Sequence, residues 1–312
     1  MNNLVILTGP TAVGKTSLSI NLAKAINGEI ISADSMQVYK GMDIGTAKIT
    51  KEEMQGIKHH LIDIIEPTED FHVVKFKELV ENAISDIYAK GKIPIICGGT
   101  GFYIQAVLYD IDFAEEDVDV DYRNELEKFA SLNGPEALHE RLKEVDLESA
   151  LSIPAANVKR VIRALEFYKQ TGQKFSTHNK QQREKISPYN FAYFVLNDDR
   201  QLLYNRIDMR VDKMVKDGLI SEVEALVESG AKRGMTSMDG IGYKEILDYF
   251  DGKCALESAI ELVKKKSRNY AKRQLTWFRR EKEVIWLDKT KLTTEEMLLS
   301  EILSNLKEKG II

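Results

Sequence analysis

Residues 4–18 read LVILTGPTAVGKTSL, and this stretch limits the possible fold more than any other part of the chain. The apolar run Leu4–Leu7 fits a buried strand. Gly9, Pro10, Thr11, Ala12, Val13, Gly14, Lys15 and Thr16 fill the pattern G-x-x-x-x-G-K-[ST]. A loop of this kind, between a strand and a helix, aims successive backbone N–H groups at an anion, and the helix adds its positive end. Gly9 and Gly14 let the backbone come close, Lys15 supplies a point charge, and the Thr16 hydroxyl is a candidate Mg²⁺ ligand. Phosphate is the expected ligand, and the loop alone leaves open which phosphate.

The pattern beyond the loop sets the fold class. Short apolar runs at 4–8, 29–34, 60–65 and 93–97 alternate with helical patterns at 15–26 and 73–90. Unbroken β-rich runs between helices indicate a parallel sheet covered on both faces. From about 113 to 190 the sequence turns helical and highly charged, interrupted by Asn133-Gly134-Pro135 and Ser152-Ile153-Pro154. Strand-like runs return at 191–196 and 284–288. An α/β parallel-sheet core built from 1–112 and 191–312, with a mostly helical insertion domain at 113–190, is the simplest arrangement.

Composition narrows the setting. Hydrophobic residues make up 43% and charged residues 30%, as in globular proteins with a real core. No apolar run approaches the roughly 18 residues of a membrane span, and Met1-Asn2-Asn3 leads straight into the first strand, so no membrane or export segment is expected. Cys97 and Cys254 lack metal-ligand spacing and suit a reducing cytoplasm. The net charge of −5 conceals strong polarity. Seven of the twelve residues at 110–121 are acidic, whereas 264–282 holds nine Lys or Arg against one Glu. In 260–278, Ile260, Val263, Tyr270, Ala271, Leu275 and Phe278 recur at helical steps, leaving Lys264, Lys265, Arg268, Lys272 and Arg279 to form a basic face. Such a face can follow phosphates. Lys159, Arg160 and Arg163 make a second one within the insertion, and the acidic stretch is expected to lie away from any RNA.

Three further positions join the loop as candidates. Asp34 closes EIISAD, so it is expected at the carboxyl end of a parallel strand, in the crevice where open α/β sheets bind ligands. It could organise metal, take a proton, or simply cap the next turn. Thr100, in Gly98-Gly99-Thr100-Gly101, follows the strand at 93–97 and should face the same crevice. Arg206 and Arg210, four apart on a predicted helix, share one face, and their guanidinium forks suit phosphate. His59-His60 have no partners at metal-ligand spacing and read as structural.

DSMQVYKGMDIGTAK (34–48), HHLIDIIEP (59–67), CGGTGFYIQAV (97–107), GIGYKE (240–245) and AKRQLTWFRR (271–280) resemble segments of the tRNA dimethylallyltransferases, or tRNA isopentenyltransferases, in the same order and over almost the whole chain. The resemblance implies a P-loop NTPase-like core whose loop grips the diphosphate of dimethylallyl diphosphate rather than ATP. It implies transfer of the dimethylallyl group to N6 of adenosine 37 in a tRNA anticodon stem-loop, with release of diphosphate. Asp34 then matches the general base, Thr100 the threonine near the acceptor adenine, and Arg210 the arginine on the diphosphate. Lys15 holds the leaving group. Asp34, Ser35, Met36 and Gln37 match the segment around the flipped adenine, and Arg123 matches an RNA contact. With the resemblance, Lys272 and Arg273 join the RNA-binding set. Mg²⁺ on Thr16, a cytoplasmic location and a monomer complete the expectation. A prenyltransferase of free AMP or ADP, a P-loop kinase of a small metabolite and a non-catalytic RNA-binding module are the alternatives.

Overall fold

The computed structural model describes residues 2–113 and 119–312. Six strands form one sheet: β1 (Asn2–Thr8), β2 (Gly28–Ala33), β3 (His59–His60), β4 (Ile93–Gly98), β5 (Tyr189–Asn197) and β6 (Val284–Asp288). Their spatial order is β3-β2-β4-β1-β5-β6, and every neighbouring pair is parallel. Central β1 is buried on both faces, with Leu4, Val5, Ile6 and Leu7 all inaccessible. That burial is why its sequence is an unbroken apolar run and not an alternation.

In chain order the helices are α1 (Lys15–Ala25), α2 (Val73–Ala89), α3 (Gly101–Leu108), α4 (Val120–Asn133), α5 (Pro135–Val145), α6 (Leu147–Ser152), α7 (Val158–Thr171), α8 (Phe175–Glu184), α9 (Arg200–Asp217), α10 (Leu219–Glu228), α11 (Tyr243–Phe250), α12 (Leu256–Phe278) and α13 (Glu295–Glu308). The chain divides into two compact units, 1–108 with 188–312, and 109–187. In the first, Val5, Leu7 and Phe194 of the sheet share a core with Leu18 and Leu22 of α1, Leu203 and Ile207 of α9, and Ile302 and Leu306 of α13.

The second unit, α4 to α8, has its own core of Leu126, Leu138, Leu142, Val161 and Leu165. Buried Asp146 caps α6 through the Ser149 N–H at 3.0 Å and also accepts the Ser176 N–H at 2.8 Å, fastening α8. The acidic run at 110–121 falls partly at 114–118, outside the described residues.

The strand expected at 60–65 is shorter than its apolar run suggests. Only His59–His60 pairs with β2, because Leu61 and Asp63 have left-handed backbones at φ 62° and 54°. The run folds back on the segment after β2 instead: the Ile64 N–H donates to the Val38 carbonyl at 2.8 Å. His60 Nε2 lies 2.8 Å from Glu29, whose carboxylate also accepts from Lys90 and Lys92 at 2.9 Å each. Burial opposes ionisation of Glu29, but the bonds from Lys90, His60 and Lys92 outweigh it and hold the carboxyl at about 2.

Candidate active site

Strand register brings three loops side by side. Gly98 of β4 pairs with Thr8 of β1 on one flank and Ala33 of β2 on the other. The P-loop, Asp34 and Thr100 therefore leave one carboxyl edge as neighbours, where an open parallel sheet binds its ligands. Gly9 has φ 149°, and a Cβ there would meet the Leu196 carbonyl at 2.7 Å; Gly14, at φ 97°, begins α1. The first turn of α1 carries no acidic residue, which leaves its positive end open to an anion. Lys15 Nζ donates to the Gly9 and Pro10 carbonyls at 2.9 and 2.8 Å. Burial lowers its pKa to about 8; Arg210 adds to the lowering, and Cys97 and Asp34 oppose it. Thr16 is exposed.

Two cavities adjoin this edge. The first, about 300 Å³, is polar and is lined by Thr11, Ala12, Gly14, Lys15, Thr16 and Gln37, among others. The second, about 330 Å³, has an apolar wall of Ile207, Val211, Met214, Leu219 and Val263 and a polar wall that includes Ser35, Gly45, Tyr243 and Arg273. Thr11, Asp34, Arg210 and Tyr270 line both. A polar chamber thus meets a half-apolar one at a carboxylate, a guanidinium, a phenol and a hydroxyl.

Asp34 does cap the next turn, since its Oδ1 accepts the Met36 N–H at 2.9 Å, while the same carboxylate lines both cavities. Ser35 and Met36 line the second cavity. Gln37 accepts from Ser32 at 3.3 Å and donates to the Thr46 carbonyl at 3.3 Å. Arg210 donates to Thr11 Oγ1 and to the Thr46 carbonyl, each at 3.3 Å, so it bridges the P-loop to the segment at 43–48. Burial lowers the pKa of Arg210, which the negative charge of Asp34 opposes. Burial and the charge on Asp34 push the Tyr270 phenol up to about 12, against hydrogen bonds involving Thr100 and Gln274. Thr100 itself lines neither cavity; its N–H donates to the Ala33 carbonyl at 3.2 Å.

Two sequence segments, CGGTG at 97–101 and AKRQLTWFRR at 271–280, interlock here. A Cβ on Gly98, Gly99 or Gly101 would lie 2.3 Å from the Ala33 carbonyl, 2.1 Å from Gln274 and 2.2 Å from the Trp277 ring. The glycines of CGGTG thus make room for β2 and for α12, beyond any room they leave for a ligand. Buried Gln274 accepts the Thr11 N–H at 2.9 Å and donates to the Gly99 carbonyl at 3.0 Å, joining the P-loop to the loop after β4. Sequence reasoning misses Gln274, although it lies three residues after Ala271 and four before Phe278 on the apolar stripe. It also treats Tyr270 as mere core. Lys289, just past β6, donates to the Val13 carbonyl at 2.9 Å and carries no motif that could flag it.

Other candidates lie elsewhere. Arg206 is paired with Asp198 and lines neither cavity. In the helical unit, Arg123 forms a two-pronged pair with buried Glu166 at 2.7 and 2.9 Å. Lys159 and Arg160 are exposed on α7, with Arg163 half-buried. The basic face of α12 is partly neutralised: Lys264 pairs with Asp212 and Glu261, Lys266 with Glu245, and Arg268 with Asp208. Lys272, Arg273 and Arg280 instead line an open concavity of about 390 Å³ with Asn269, Thr276 and Trp277. Among the described residues, no group of three His, Cys, Asp or Glu could hold a metal, and no helix is long and apolar enough to cross a membrane.

The family model described as IPP transferase matches residues 37–281. A protein of Lachnoclostridium phytofermentans named tRNA dimethylallyltransferase is 58% identical over the full length of both chains. A solved tRNA isopentenylpyrophosphate transferase of Bacillus halodurans is 46% identical, with 99% of this chain and 98% of that one covered and a TM-score of 0.73. A eukaryotic dimethylallyltransferase solved acting on tRNA is 30% identical, with 100% and 80% covered and a TM-score of 0.83. These likenesses accompany an α/β fold of the P-loop NTPase-like kind.

Proposed function

The chain belongs to the IPP transferase family, and from that premise we propose that it transfers a dimethylallyl group from dimethylallyl diphosphate to N6 of adenosine 37 in tRNA. The observation that carries this reading is the meeting of the two cavities at Thr11, Asp34, Arg210 and Tyr270. One chamber suits a diphosphate, and the other has room and apolar surface for a prenyl chain and a base. N6 attacks C1, the C1–oxygen bond breaks, and its electron pair leaves with the diphosphate. Lys15, the loop amides and Arg210 stabilise that growing negative charge as fixed positive groups. N6 becomes acidic as the N–C bond forms, and the Asp34 carboxylate takes its proton.

Thr16 offers an exposed hard oxygen in the diphosphate chamber. That suits Mg²⁺, which needs few protein ligands and completes its shell with phosphate and water. Thr16 would hold the ion, which would add positive charge beside the leaving group.

An adenine inside an RNA loop must be unstacked to reach such a site, at a cost of a few kcal/mol. Ser35 and Met36 would receive the extruded base. Lys272 and Arg273 would hold RNA phosphates, and in the helical unit Lys159, Arg160 and Arg163 form a basic face of their own that suits the same backbone. A monomer working in the cytoplasm accords with this reading.

The test offers labelled dimethylallyl diphosphate with an anticodon stem-loop, with AMP, or with ATP and no RNA. Label should enter the stem-loop alone. Prenylated AMP as the main product, or brisk ATP turnover without prenylation, contradicts the proposal.

A further inference from the structure

The DIGTAK (43–48) and GIGYKE (240–245) segments start 197 residues apart in the chain, and neither supplies an evident reacting group. Both meet at Glu222, in the first turn of α10. Its Oε2 accepts the Asp43 and Ile44 N–H groups at 2.8 and 2.6 Å. Its Oε1 accepts the Gly45 N–H at 3.0 Å and the Tyr243 hydroxyl at 2.7 Å. One carboxylate thus caps the turn at 43–48 with three amides and ties it to α11. The contact is close-fitting: a Cβ on Gly45 would lie 2.6 Å from the Tyr243 ring.

The turn holds Arg210. Its Thr46 carbonyl accepts Arg210 Nη2 at 3.3 Å, while Arg210 Nη1 reaches Thr11 of the P-loop at the same distance. Thr46 and Tyr243 line the second cavity, with Arg210 at its junction with the first. An arginine drawn into a cavity beside Lys15 is repelled by that neighbouring cation and needs an acceptor at a fixed place. We propose that Glu222 is a positioning residue for the donor site: by capping the turn at 43–48 it fixes the Thr46 carbonyl, and so aims the Arg210 fork at the diphosphate. Tyr243 braces Glu222 from the other side.

This inference rests on the prenyl-transfer reading for its purpose, but its test is binding of diphosphate itself. Glu222→Gln replaces one oxygen by an NH₂ group, which in either orientation faces a backbone donor. Diphosphate with Mg²⁺ is titrated onto the wild type, Glu222→Gln, Arg210→Lys and the double variant, with stem-loop binding measured in parallel. Glu222→Gln should weaken diphosphate binding about ten-fold, leave stem-loop binding within about two-fold, and add little to Arg210→Lys, as for residues sharing one network. Tyr243→Phe keeps Glu222 and its three amide bonds, so it probes the same link should Glu222→Gln fail to fold; a loss of about three-fold, again not additive with Arg210→Lys, is expected. Unchanged diphosphate affinity, or losses that add in full to that of Arg210→Lys, overturns the proposal. A wild type that binds diphosphate normally but prenylates no RNA overturns the functional reading instead, and leaves the Glu222 comparison decisive on its own.

Discussion

Lys15 sits where burial lowers its pKa to about 8, so its charge is not assured across the alkaline range. A diphosphate needs the ammonium form. Below that pKa the site is charged and the KM for the prenyl donor should be flat. Above it, each further pH unit removes more of the charged form, and KM should climb towards ten-fold per unit. A profile measured from pH 7 to 9.5 checks this, and a flat one contradicts it. The residues proposed to hold the diphosphate and to take the N6 proton were legible because they stand in tight local patterns: Gly9 to Thr16 within one loop, and Asp34 at a strand end. Gln274, Tyr270 and Glu222 were not, since their partners are remote. The bond from the Thr11 N–H to Gln274 spans 263 residues, and no local spacing announces it.

Helix α12 shows what periodicity can and cannot read. A step of three or four finds its buried stripe of Val263, Ala271 and Phe278, but not which of its cations meet acids from other helices. Lys264, Lys266 and Arg268 are spent on Asp212, Glu245 and Asp208, whereas Lys272, Arg273 and Arg280 line one concavity. The salt dependence of stem-loop binding should therefore reside mainly in the second set. Replacing these three by alanine should reduce the slope of log K against log salt by about two, near 0.7 per lost phosphate contact. Replacing Lys264 alone should leave it nearly unchanged. An unaltered slope in the triple variant would show that this end of α12 does not meet phosphate. The expected strand at 60–65 fails for a related reason: an apolar run does not say what its backbone pairs with, and here Leu61 and Asp63 turn the chain so that it bonds to 37–40 rather than continuing in the sheet.

The sheet gathers the site as a consequence of its order. Short buried runs separated by helices disclosed the parallel α/β class, but only the pairing of Gly98 with both Thr8 and Ala33 places the P-loop, Asp34 and Thr100 at one edge. Two chambers then adjoin that edge, and Asp34 stands where they meet. Single-turnover transfer from labelled dimethylallyl diphosphate to an anticodon stem-loop, compared between the wild type and Asp34→Asn, tests this placement most directly. The carboxamide keeps an acceptor for the Met36 N–H but cannot take the N6 proton. The rate of N–C bond formation should fall by about 10²–10⁴, with diphosphate and stem-loop affinities close to those of the wild type. Transfer at near wild-type rate in Asp34→Asn would contradict the account.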